Sequence, residues 1–165
     1  MYKVGIITAS DKGAAGARED LSGPAIAEIL AKFKAFAVEK TVMLPDERSL
    51  LADMLCRMAD EDRLDLVLTT GGTGFSRRDN TPEATLDVIE RRTPGIPEAM
   101  RYVSLQITPR GMLSRAEAGI RGNTLIVNLP GSPRAIRETL EYILPALEHG
   151  LEMLLGPGAE CARLG

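Results

Sequence analysis

The chain has 165 residues, 44% apolar and 26% charged, with a formal net charge of −3 and a pI near 5.3. That length suits one domain, at which size about 68–70% of the unfolded surface is buried with no need of metal or disulfide. An acidic balance, no Trp and few other aromatics exclude a broad basic, base-stacking surface for nucleic acid, although they leave room for a local phosphate pocket.

The N-terminal stretch MYKVGIITAS is apolar but too short and too early for a signal peptide, and it reads as a buried first strand, Lys3 to Thr8. A helix follows, with Ile26, Ile29, Leu30 and Phe33 at helical spacing. Phe36 to Leu44 gives an interrupted alternation and a second strand; Leu51, Met54, Leu55 and Met58 mark the next helix. Leu64 to Thr70 is a third strand. A helix opens at Thr81-Pro82-Glu83, read as N-cap, proline at the first helical position and acidic first turn.

Beyond it, Pro94, Pro97 and Pro109 punctuate the chain, with Pro97 opening a helix to about Leu105. Leu113 to Arg121 is either a loop or an edge hairpin. Thr124 to Leu129 is a further strand, and Ser132-Pro133 starts a last helix whose apolar stripe runs from Ile136 to Leu154. Pro145 is expected to kink or split that helix. Residues 157–165 read as a loosely ordered tail. Continuous apolar strands alternating with amphipathic helices predict a single α/β domain over residues 1–165, a three-layer α/β/α sandwich around a mostly parallel sheet. No run reaches the ~20 apolar residues that span a bilayer, so no membrane partner and a cytoplasmic location are expected.

Cys56, Cys161 and the lone His149 offer no Cys-x-x-Cys and no ligand set for zinc or iron. A hard cation held by carboxylates and phosphate oxygens stays open.

In an open α/β sheet, ligands bind beyond the carboxyl ends of the strands. Those ends here read Thr8-Ala9-Ser10-Asp11, Leu44-Pro45-Asp46-Glu47, Thr69-Thr70-Gly71-Gly72-Thr73-Gly74 and Asn128-Leu129-Pro130-Gly131-Ser132-Pro133. The third is the most specific. Its glycines free the backbone to approach an anion and aim N–H groups at it, and a helix N-terminus follows. It is not a P-loop, because no lysine occurs after Lys40, nor does it match Gly-x-Gly-x-x-Gly. Positive charge at the loop would come from arginines such as Arg77 and Arg78, which are equally well read as a solvated pair.

Asp79, a carboxylate inside a phosphate loop, calls for an intervening cation, and Mg²⁺ is the sensible one; otherwise it stabilises a turn. Asp46 either serves the same purpose or caps the helix at Glu47. Ser132-Pro133 repeats the helix-start device, which favours a two-phosphate substrate or a nucleotide.

At these residues the chain resembles the molybdopterin adenylyltransferases of molybdenum cofactor biosynthesis. The resemblance rests on TASDKGAAGAREDLSG from Thr8, LPDE from Leu44, LTTGGTGFSRRDNTPEAT from Leu68 and LSRAEAGIRGNTLIVNLPGSP from Leu113. It implies transfer of AMP from ATP, as co-substrate, to the terminal phosphate of molybdopterin, with release of pyrophosphate. It implies Asp46 and Asp79 as the catalytic, Mg²⁺-holding carboxylates. Ser10, Asp11, Gly71, Gly72, Thr73, Gly74, Thr81, Pro82, Glu83, Ser114, Asn128, Pro130, Gly131 and Ser132 match positions lining the pocket. A homotrimer, or a hexamer in some branches, is implied too, with hand-over of product to a molybdate-inserting protein. The alternatives are a non-catalytic pterin-binding or scaffold paralogue and a nucleotide-binding module without turnover.

Overall fold

A computed structural model describes residues 1–156; the expected tail at 157–165, and Cys161 with it, lies outside the described residues. In chain order the elements are β1 (Tyr2–Ala9), α1 (Asp11–Ala14), α2 (Ser22–Leu30), β2 (Phe36–Leu44), α3 (Arg48–Asp60), β3 (Leu66–Thr70), α4 (Thr81–Val88), β4 (Arg91–Arg92), α5 (Gly95–Leu105), a 3₁₀ turn (Pro109–Leu113), β5 (Ala118–Arg121), β6 (Thr124–Leu129) and α6 (Pro133–Leu155). The strands form one sheet in the order β2-β1-β3-β6-β5-β4. Its β2, β1, β3 and β6 are parallel, while at one edge β5 pairs antiparallel with β6 and the short β4 antiparallel with β5.

Period-two alternation divides the buried strand residues between two cores. Val4, Ile6, Leu66, Leu68, Leu125 and Val127 face one side, where Ile26 and Ile29 of α2, Met100 of α5 and the Ile136–Leu151 stripe of α6 cover them. Ile7, Val67 and Ile126 face the other, against Leu51, Leu55 and Met58 of α3 and Ala84 and Val88 of α4. This is the three-layer sandwich the strand and helix patterns require.

The structure resolves the ambiguous segments. β2 spans Phe36–Leu44 despite its broken alternation, because as an edge strand it is buried along neither whole face. The segment after the 3₁₀ turn becomes an antiparallel edge hairpin: β5 and β6 pair through Arg121↔Thr124, with Gly122 at φ +55° in the turn. Helix α5 starts at Gly95, just before Pro97. Helix α6 runs unbroken through Pro145, so the expected split does not occur. Ile136, Leu140, Ile143, Leu144, Leu147, Leu151 and Leu154 pack along one face, and that packing holds the helix across a missing hydrogen bond.

Loops leaving β1 and β3, neighbours in the sheet, turn to opposite faces: β1 feeds α2 on one side and β3 feeds α4 on the other. That is the topological switch point at which open parallel sheets form a crevice.

Candidate active site

A cleft of about 410 Å³ opens at that crevice. Thr8 and Ser10 of the first loop, Asp46 of the second, Thr70, Gly71, Gly72 and Asp79 of the third, and Gly131 and Ser132 of the fourth all line it. All four strand ends singled out in the sequence therefore converge.

The glycine loop is tight. Gly71 lies at φ +89° and Gly72 at φ +68°, a region that side chains rarely adopt. A Cβ on Gly71 would collide with the carbonyl oxygen of Ala9, and one on Gly72 with the Thr81 hydroxyl. Thr81 is fully buried and donates to the Gly71 carbonyl at 2.9 Å, while its own N–H reaches the Gly72 carbonyl at 3.2 Å. Thr81 is thus the first residue of α4 and not its N-cap; Asn80 takes that place, with no side-chain cap bond. Pro82 is buried behind it.

Asp46 does not cap α3, whose N-cap is Glu47. Its Oδ2 accepts from the Asp11 amide at 3.0 Å, and the Asp46 amide donates to Asp11 Oδ1 at 2.9 Å. This reciprocal pair ties the first loop to the second. Asp11 is consequently a brace facing protein, and the cleft lining does not include it. Arg78 clamps Asp11 with Nε and Nη2, at 3.0 and 2.9 Å, and also meets Glu47 at 2.9 Å. The Arg78 guanidinium, followed by the Asp46 amide, holds the Asp11 carboxyl below its usual range. Burial pushes the Asp46 carboxyl up, and the negative charges of Asp11 and Asp79 add to that against the Asp11 amide bond.

Asp79 Oδ2 accepts from the Ser76 amide at 2.9 Å, and the Asp79 amide returns a bond to the Ser76 carbonyl at 3.0 Å. Its other carboxylate oxygen, like Asp46 Oδ1, has no hydrogen-bond donor among the described residues. The loop also has a clamp that the sequence did not reveal. Arg115 donates to the Gly74 carbonyl and to the Asp79 carbonyl, each at 2.7 Å, and to Glu83 Oε1. Glu83 therefore faces Arg115, not the cleft. Burial pushes its carboxyl up, but the Arg115 hydrogen bond and its own amide outweigh that and leave it lowered.

The fourth loop is held from both sides: Thr70 Oγ1 donates to the Pro130 carbonyl at 2.7 Å and Ser22 Oγ to the Gly131 carbonyl at 2.8 Å. Ser132 caps α6 by accepting from the Ala135 amide at 3.2 Å, as expected. Asn128 is fully buried beneath the loops; it donates to Thr69 and Thr85 hydroxyls and accepts from the Glu117 amide, so it supports the site from below. Thr73, Ser114 and Pro130 line a second cleft of about 210 Å³, with Ser104 and Thr108, and Gly131 forms the ridge shared by the two. Arg77 belongs to neither lining, and Arg78 is engaged. The cation lining the first cleft is Arg18, on the segment between α1 and α2. It escaped sequence reading because nothing local distinguishes it from a solvated loop arginine.

Acidic oxygens on loops from two strands, a glycine turn and two helix starts around one crevice suit a phosphate-bearing substrate. Comparison with known proteins is consistent with this geometry. Residues 5–149 match the model of a probable molybdopterin binding domain. A molybdopterin adenylyltransferase of Helicobacter pylori is 46% identical over 154 residues, covering 93% of this chain and 88% of the relative. The Escherichia coli molybdopterin adenylyltransferase is 40% identical over 97% of this chain and 89% of its own. A crystal structure of the molybdopterin biosynthesis enzyme MoaB of Thermus thermophilus superposes with a TM-score of 0.89 at 49% identity, covering 94% of this chain and 98% of that one. The chain belongs to the molybdopterin-binding domain family of molybdenum cofactor biosynthesis.

Proposed function

We propose that this protein is a molybdopterin adenylyltransferase, moving AMP from ATP to the terminal phosphate of molybdopterin. The observation that carries the reading is the convergence of Asp46 and Asp79 on one cleft with the Gly71-Gly72 turn. An oxygen of the molybdopterin phosphate, ionised at neutral pH, attacks the α-phosphorus of ATP. That P–O bond forms as the bond to the β-phosphate oxygen breaks, and pyrophosphate leaves. No general base is needed, which fits a site without histidine. His149 sits far along α6, exposed and paired with Glu152.

The protein's task is to bring two anions together and neutralise them. The glycine turn, which lines the cleft, presents backbone N–H groups to phosphate oxygens. Arg18 meets a phosphate at the cleft mouth. The second cleft, with its Thr73, Ser104 and Ser114 hydroxyls, takes the uncharged part of a substrate whose phosphate reaches across Gly131.

The residues present fit Mg²⁺. Asp46 and Asp79 each keep an oxygen without a donor among the described residues, both line the cleft, and hard oxygen donors suit that ion. Among the described residues no three His, Cys, Asp or Glu side chains gather into a metal cage, so substrate phosphates and water would complete the shell. When bound, the ion would neutralise charge developing on the phosphates. We further propose a homotrimer, with a hexamer as the larger assembly, a cytoplasmic location, and hand-over of product to a molybdate-inserting protein. None of the described helices is long and apolar enough to cross a membrane.

Purified protein mixed with molybdopterin, ATP and Mg²⁺ should release pyrophosphate and form adenylylated molybdopterin. Pterin binding without pyrophosphate would overturn the reading in favour of a non-catalytic paralogue. Arg18→Ala should raise KM for ATP or molybdopterin by roughly tenfold, the size of one lost charge-assisted contact; unchanged values for both substrates would remove Arg18 from the site.

A further inference from the structure

We propose that Arg115 is the positioning residue for Asp79, acting through the loop backbone and without touching substrate. The inference rests on the transferase reading above. Arg115 lines neither cleft. Its side chain instead spans the two ends of the turn that carries Asp79: Nε donates to the Gly74 carbonyl and Nη2 to the Asp79 carbonyl, both at 2.7 Å. Its backbone N–H donates to the Thr73 carbonyl at 2.9 Å. The third arm of the guanidinium is fixed by Glu83 on the first turn of α4.

The guanidinium is planar, with donors in a rigid fork, so these acceptors are held at set separations that one flexible ammonium cannot reproduce. Inside the clamp the turn closes on itself through the Ser76 amide to Asp79 Oδ2 and the Asp79 amide to the Ser76 carbonyl. The Asp79 side chain is therefore aimed by a turn whose two feet stand on Arg115. The same residue follows Ser114 of the second cleft and joins that wall to Thr73, so it also sets how the two clefts sit against each other.

Glu83 Oε2 is buried with no partner, so Arg115→Ala would strand a half-buried carboxylate and is apt to unfold the loop. Arg115→Lys is the better test, since it keeps the charge beside Glu83 and removes the fork. Folded Arg115→Lys should lose roughly 10²-fold in kcat, the scale of a small misplacement of a reacting group. Amide exchange at Ser76 and Asp79 should quicken at least about tenfold. On an Asp79→Asn background the same substitution should cost no more than about twofold further, because both act on one element.

A kcat within about twofold of wild type, unchanged exchange at both amides, or a full multiplicative loss in the double variant would each overturn the proposal. Should Arg115→Lys not fold, Glu83→Gln frees the guanidinium's anchor while leaving its two carbonyl contacts, and faster exchange at the same amides is again expected; unchanged exchange there overturns the proposal. If the wild type transfers no AMP, the functional reading fails, yet the exchange measurements still decide whether Arg115 holds the turn.

Discussion

Two strand-to-helix turns in this molecule carry the same written device, a hydroxyl residue followed by proline, and use it differently. After β6, Ser132 spends its hydroxyl locally, on the Ala135 amide of its own helix. After β3, Thr81 turns its hydroxyl backward to the Gly71 carbonyl, and α4 begins with no side-chain cap. The first arrangement stabilises a helix. The second stabilises the glycine loop, and the first turn of α4 satisfies itself: the Thr81 N–H meets the Gly72 carbonyl, Pro82 has none, and the Glu83 N–H meets its own carboxylate. The β3 turn therefore uses its hydroxyl to brace the glycine turn that lines the cleft, where the β6 turn uses its own to cap a helix.

The sharpest test of that contrast sets glycine against glycine. Gly71→Ala places a Cβ against the Ala9 carbonyl at a positive φ. It should lower stability by roughly 3 kcal/mol or more and abolish turnover. Gly131→Ala, in the other turn, meets the Gly71 Cα at 3.5 Å and its N at 3.9 Å, both ordinary contacts. Its effect on stability should stay within about 0.5 kcal/mol. Denaturant midpoints of the two variants would settle it, and equal losses would erase the distinction between the turns.

Next in size is Asp79→Asn, which should cut the rate by roughly 10² or more, as for one preorganised electrostatic element, with stability little changed. A wild-type rate would remove Asp79 from the chemistry. Thr81→Val follows. It keeps the shape but strands the Gly71 carbonyl, so a loss of about 1–3 kcal/mol is expected, with a roughly tenfold slower rate as the loop loosens.

These variants also mark where the sequence could be read and where it could not. Buried strands such as Thr124–Leu129 stood out because they are covered on both faces, so Leu125, Ile126, Val127 and Leu129 run on without polar alternation. The four strand ends were legible because glycine, proline and carboxylates at such ends have few other uses. What failed was direction. Thr81 has the spacing of a cap, but only the fold brings the Gly71 carbonyl under its hydroxyl. Asp11 and Asn128 sit among pocket residues in the chain, yet their polar atoms are consumed by Asp46, Arg78, Thr69 and Thr85. Arg115 clamps carbonyls 41 and 36 positions away, and no periodicity reports a contact at that range.

Ser132→Ala is a smaller perturbation: loss of one exposed N-cap should lower stability by about 1 kcal/mol. A loss as large as that of Thr81→Val would mean that the β6 turn, too, is braced through its hydroxyl.

The smallest expected effect separates the acidic pair at the crevice. Burial, with the charges of Asp11 and Asp79, raises the Asp46 carboxyl when the protein is folded. A raised carboxyl binds its proton more tightly in the folded state. Its stabilising contribution is full below the ordinary carboxylate range and fades as pH rises through the folded value. At neutral pH the folded protein therefore carries an ionised Asp46 against its environment, and Asp46→Asn should gain stability at pH 7 and not at pH 3. Solvent around a half-buried group keeps that gain below about 1 kcal/mol. Asp11, lowered first by Arg78, has the opposite sign: its contribution is present above the ordinary range and lost as pH falls through the folded value. Asp11→Asn should accordingly lose stability at pH 7. Unfolding curves at the two pH values would compare them, and a destabilised Asp46→Asn at neutral pH would mean that Asp46 is a structural brace like its partner.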